Sequence, residues 1–193
     1  MMTNKHDAIV VHFDTEFSHL DHDPLTPELA GLISIGCITE NGDYFYAENA
    51  NPQVALYSDF VKKIVIPLLD GGDTSMPYQT IAKQLKAWVE SLGGEVVFVS
   101  DAPCCDWPHA CDLFNHHGWP HNLRKTVEDM GLSGFQLMRY LYHANRIFKG
   151  NPSLRKHHAG DDASVHLMAY KKVTGKSFNF IKTLLRVFRN RFI

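Results

Sequence analysis

The chain has 193 residues, 45% hydrophobic and 21% charged, with a formal net charge of −2. That is enough length for one full core and an ordinary globular composition, and it excludes repeat arrays, low-complexity chains and membrane spans, for which no apolar run is long enough. The polar start Thr3-Asn4-Lys5-His6-Asp7 is not a signal peptide, and the four cysteines (Cys37, Cys104, Cys105, Cys111) form no C-x-x-C pair, so reduced thiols in a cytoplasmic setting are expected.

Ala8 to Phe13 is a short apolar run rich in β-branched residues, which predicts a strand buried on both faces. Asp14 and Glu16 end it. Side chains two apart on a strand share a face, so both carboxylates project together while Thr15 points away. Such a pair repels itself unless cations offset the charge, and Mg²⁺ or Mn²⁺ suits an all-oxygen site. A polar turn at a strand end explains the triplet equally well when it is taken alone.

Pro24 to Pro27 reads as a loop, and Leu32 to Gly36 as a second strand. Asn41-Gly42 is a strong hairpin signal into a third strand over Asp43 to Ala47. Helical material follows at 59–68 and 80–92, separated by a loop at 71–77. Glu95 to Ser100 predicts another strand, with Asp101 and Asp106 just beyond it. Trp107, Ala110, Cys111, Leu113 and Phe114 have helical spacing, although Pro103 and Pro108 blur where that helix begins. Cys104, Cys105, His109, Cys111, His116 and His117 are zinc-type donors, but their spacing fits no common finger. A loop at 115–122 and a weakly signalled strand at 126–130 come next, and then mostly helix.

His157-His158-Ala159-Gly160-Asp161-Asp162 leads into a helical pattern over 163–173, closed by Gly175. Asp161 has the character of an N-cap and Asp162 suits the positive end of a helix dipole. A histidine five residues before an aspartate at a helix mouth can also hold a general base beside a metal ligand. Either His157 or His158 could fill that position, depending on how the loop turns. Charge is uneven beyond this point: residues 171–193 carry +7, against −9 for the remainder. Phe178, Ile181, Leu184, Leu185, Phe188 and Phe192 give residues 176–193 the pattern of a basic amphipathic helix packed on a domain spanning 1–175.

Asp14-Thr15-Glu16 together with His157-x-Ala159-x-x-Asp162 resembles the motifs of the DEDDh 3′-to-5′ exonucleases. Phe17 and the Leu32-Ile33-Ser34-Ile35-Gly36 strand look like the small bacterial exoribonucleases related to ribonuclease T and oligoribonuclease. The resemblance implies an α/β, ribonuclease H-like fold: a mixed sheet of three antiparallel strands followed by parallel ones, with helices on both faces. It implies two Mg²⁺ or Mn²⁺ ions held by Asp14, Glu16, Asp106 and Asp162, with Asp101 as the alternative third aspartate, and His157 as the base that deprotonates water. The expected activity is release of nucleoside 5′-monophosphates from single-stranded RNA or DNA 3′ ends, RNA favoured. A DNA exonuclease and a nucleic-acid-binding module with a decayed site are the alternatives. Phe17 is expected to stack on terminal bases, and Arg155, with Lys156, to meet a phosphate. No membrane partner is expected, and a homodimer is left open.

Overall fold

The computed structural model describes residues 8–18, 31–52 and 54–175; the predicted helix at 176–193 lies outside them. The chain folds as an α/β domain around a six-stranded sheet. Its strands are β1 (Ile9–Phe17), β2 (Leu32–Thr39), β3 (Tyr44–Asn49), β4 (Ser75–Met76), β5 (Val96–Ser100) and β6 (Leu123–Asp129), in the order β4-β3-β2-β1-β5-β6. β1 pairs antiparallel with β2, β2 pairs antiparallel with β3 through the predicted Asn41-Gly42 hairpin, and β5 and β6 add in parallel. This is the expected ribonuclease H-like arrangement. β6 begins earlier than its sequence signal, and the two-residue β4 is too short to show a period.

The helices are α1 (Tyr78–Ser91), α2 (Pro103–His117), α3 (Gly134–Gly150) and α4 (Ala159–Thr174). The segment at 59–68 forms two consecutive helical turns, Val61–Val65 and Ile66–Leu68, rather than a regular helix. Proline fits the first helical position, so α2 starts at Pro103 and runs on through Pro108. Among the described residues no helix is long and apolar enough to cross a membrane.

Strand alternation decides which helices cover which face. Val11 and Phe13 of β1 enter a core with Ile81, Leu85 and Val89 of α1 and Leu113 and Phe114 of α2. On the other face, Val165, Met168 and Ala169 of α4 pack with Tyr140 and Ile147 of α3, while Ala163 and Leu167 sit on Ile38. Asp14 and Glu16, out of phase with Val11 and Phe13, therefore point to the α4 side.

α4 lies unusually close to the sheet. A Cβ on Gly36 of β2 would collide with backbone atoms of Ala159 and Gly160, and one on Gly160 would collide with the Tyr44 hydroxyl. Backbone cannot step aside as a side chain can. Gly36→Ala is therefore expected to cost about 1–3 kcal/mol, read as a lower denaturant midpoint, and to push the start of α4 away from β1.

Candidate active site

An open cleft of about 400 Å³ lies where β1 and β5 end, against the first turns of α2 and α4. Asp14, Glu16, Phe17, Asp101, Asp106, His157 and Asp162 all line it. The two distant motifs meet because α4 crosses the sheet at Gly36, which carries Asp162 over the Asp14 and Glu16 face of β1.

Ligand-type atoms of Glu16, His157 and Asp162 lie within 4.8 Å of one another, and those of Asp14, Asp101 and His166 form a second such group. The donor set of hard carboxylates with imidazole fits divalent cations. Among the described residues no such group contains a cysteine. Of the zinc-type donors along α2, His109 is buried and stacked on Phe17, whereas Cys104 is exposed with its sulfur 3.7 Å from that of Cys105.

The carboxylates crowd one another. Asp14 is held well above the ordinary carboxylate range by burial, and then by the charges of Asp106, Asp162, Glu16 and Asp101. Burial, with Asp162 and Asp106 adding, pushes Glu16 up to about 8. Asp162 rises to about 7 through burial, although the His157 N–H donates to its Oδ2 at 2.9 Å. These groups bind protons in the folded, metal-free protein that the unfolded chain, with carboxylate pKa values of about 4, does not hold. Stability of the metal-free protein should then fall as pH rises from about 4 to about 8, because native proton uptake exceeds that of the unfolded state across this window. A divalent cation displaces those protons and should restore stability most at the alkaline end. Thermal denaturation of EDTA-treated protein with and without Mn²⁺ checks this; a midpoint that does not fall with pH would contradict it.

Asp106 occupies the first turn of α2, as the sequence suggested, but its oxygens are engaged. β5 stops pairing with β1 after His12↔Val99, and Asp106 Oδ1 takes over there, accepting from the Thr15 N–H at 3.1 Å and the Thr15 hydroxyl at 2.7 Å. Oδ2 accepts from the Ser100 hydroxyl. Burial raises Asp106 to about 6 against the lowering effect of those hydrogen bonds. Asp101, one residue past β5, is exposed; its Oδ2 accepts from the Tyr140 hydroxyl at 3.2 Å.

The loop before α4 separates the two histidines. His157 adopts a left-handed φ of 70°, unusual for a residue with a side chain, and its half-buried ring lines the cleft. Burial, and secondarily Lys156, lowers its pKa, which favours the neutral form of the ring. His158 is fully buried. It caps α4, its Nδ1 accepting from the Asp161 N–H, and stacks on Tyr46 with centroids 4.3 Å apart. Because α4 starts at Ala159, Asp161 is an interior residue of the first turn and not its cap.

Arg155, expected to meet a phosphate, is not among the residues that line the cleft. Its Nε donates to Asp161 at 3.0 Å, and its Nη1 donates to Asp70 at 2.6 Å and to the Leu68 carbonyl at 2.7 Å. It thus ties the 68–70 segment to α4; Lys156, exposed, lines the cleft instead. Phe17 does line the cleft, with its ring stacked on His109 at 4.8 Å. His166 went unnoticed in the sequence, although its position four residues after Asp162 puts it on the same helix face.

No protein-family model matches the chain, and no curated protein sequence matches it either. Solved structures do. A Mg²⁺- and Mn²⁺-bound form of S. pombe Pop2p is similar with a TM-score of 0.59 and 14% identity, over 86% of this chain and 83% of that one. The zinc-bound complex of E. coli exonuclease I with single-stranded DNA gives 0.58 and 11%, over 89% of this chain, and its complex with a dT13 oligonucleotide gives 0.55 and 11%, over 87%. This chain spans 41% of the exonuclease I chain. At these identities the likeness establishes the fold.

Proposed function

We propose that the chain is a metal-dependent 3′-to-5′ exonuclease that hydrolyses single-stranded nucleic acid, RNA in preference to DNA, and releases nucleoside 5′-monophosphates. The observation that carries this reading is the convergence of Asp14, Glu16, Asp162 and His157, drawn from opposite ends of the sequence, in one cleft. Phosphodiesters resist water because the phosphorus centre is already negatively charged and the leaving group is poor. Two bound Mg²⁺ or Mn²⁺ ions would supply charge neutralisation and acidify the attacking water. Asp14, Glu16 and Asp162 would hold them, and so would Asp106, whose Oδ2 accepts a single hydrogen bond and keeps a lone pair. His157, neutral through burial, accepts the proton of the attacking water. Phe17 offers an aromatic surface to the terminal base, and Lys156 a cation to the backbone.

The likeness to exonuclease I bound to single-stranded DNA, and to Pop2p bound to Mg²⁺ and Mn²⁺, supports the reading. Matched single-stranded RNA and DNA oligomers, incubated separately with Mn²⁺, test it. RNA should be consumed faster. Faster loss of DNA would move the substrate to deoxyribonucleotides, and binding of both without cleavage would leave a binding module.

A further inference from the structure

We propose that Asp14, Asp101 and His166 form a nitrogen-bearing cation position in the cleft, one that favours Mn²⁺ over Mg²⁺. It rests on the nuclease reading only in taking the cleft to bind divalent cations. One oxygen from each aspartate and one imidazole nitrogen all lie within 4.8 Å of one another. An octahedral ion with bonds of about 2.1 Å sets neighbouring donors about 3 Å apart and opposite donors about 4.2 Å apart. The separation of 3.4 Å between His166 Nε2 and Asp101 Oδ2 is close to such an edge, and longer than a normal N–H···O hydrogen bond.

Each donor is placed by a different element. Asp14 projects from β1 and Asp101 leaves the end of β5. His166 stands one turn beyond Asp162 on α4. The Tyr140 hydroxyl, on α3, donates to Asp101 and fixes its carboxylate, as groups behind a metal ligand do. His166 is mostly buried; its Nε2 faces Asp101, and its Nδ1 has no hydrogen-bond partner among the described residues. By contrast, the Glu48, Asp70 and His158 group, of similar donor content, is used internally: Glu48 accepts the Asp70 and Gly71 N–H groups, and Asp70 pairs with Arg155.

The nitrogen sets the preference. Mg²⁺ favours oxygen donors, whereas affinity for sites containing imidazole rises from Mn²⁺ along the transition series. Mn²⁺ added to the metal-stripped full chain and observed by electron spin echo modulation reads the ligand directly. Modulation from a bound ¹⁴N should be present in the wild type, persist in His157→Asn and vanish in His166→Gln. His166→Gln and Asp101→Asn should each weaken Mn²⁺ binding about tenfold or more. Asp101 is exposed, so its variant keeps the test open if the histidine variant does not fold. Mn²⁺ bound without nitrogen modulation, or modulation lost with His157 alone, would overturn this assignment and leave the nuclease reading standing. Absence of Mn²⁺ binding altogether would overturn both.

Discussion

Replacing Asp14 by alanine is expected to lower phosphodiester cleavage by about 10³-fold or more, the equivalent of several kcal/mol of lost charge stabilisation. No other carboxylate in the cleft is so central: Asp106, Asp162, Glu16 and Asp101 all act on its ionisation. Its loss should also remove from the metal-free fold a buried carboxyl whose ionisation burial and its neighbours oppose. The metal-free variant should therefore unfold at a higher temperature than the metal-free wild type at pH 8, yet gain less from added Mn²⁺. Measuring activity and thermal midpoint together separates the loss of a ligand from the loss of the fold. Wild-type activity in this variant would remove Asp14 from the reaction.

His157→Asn should slow the chemical step by about 10²–10⁴-fold while cation binding is retained. Asparagine is the informative replacement because it tolerates the left-handed backbone found at φ 70°. The N–H at this position then still donates to Asp162 Oδ2, so the ligand stays in place while the base is removed. Alanine would mix that effect with backbone strain of about 1–3 kcal/mol. A fall in Mn²⁺ affinity matching the fall in rate would instead make His157 a metal ligand, since its ring lies within reach of Glu16 and Asp162.

Legibility in the sequence followed the range of the physics involved. The period of two along Ile9–Phe17 put Asp14 and Glu16 on one face, and the Asn41-Gly42 turn announced the hairpin between β2 and β3, because both are local rules. The His157-x-Ala159-x-x-Asp162 spacing singled out His157 over His158, but the left-handed backbone that turns it into the cleft leaves no residue signature, since the position is not glycine. Asp106 was placed correctly at the start of α2, but its partner Thr15 is 91 residues away, and composition carries no trace of that contact. Arg155 looked like a phosphate contact because it adjoins the motif; its actual partners, Leu68 and Asp70, come from a segment more than 80 residues earlier. His166 did leave a signal, the i, i+4 spacing from Asp162, but its meaning required Asp101 to arrive from β5.

The most direct measurement uses a single-stranded RNA labelled at the phosphate of its 3′-terminal nucleotide, incubated with the protein and Mn²⁺. The labelled nucleoside 5′-monophosphate should be the first product, and EDTA or Asp14→Ala should abolish its release. Label that remains on intact RNA, or that leaves only in internal fragments, would contradict a metal-dependent 3′-to-5′ exonuclease built on Asp14, Glu16, His157 and Asp162.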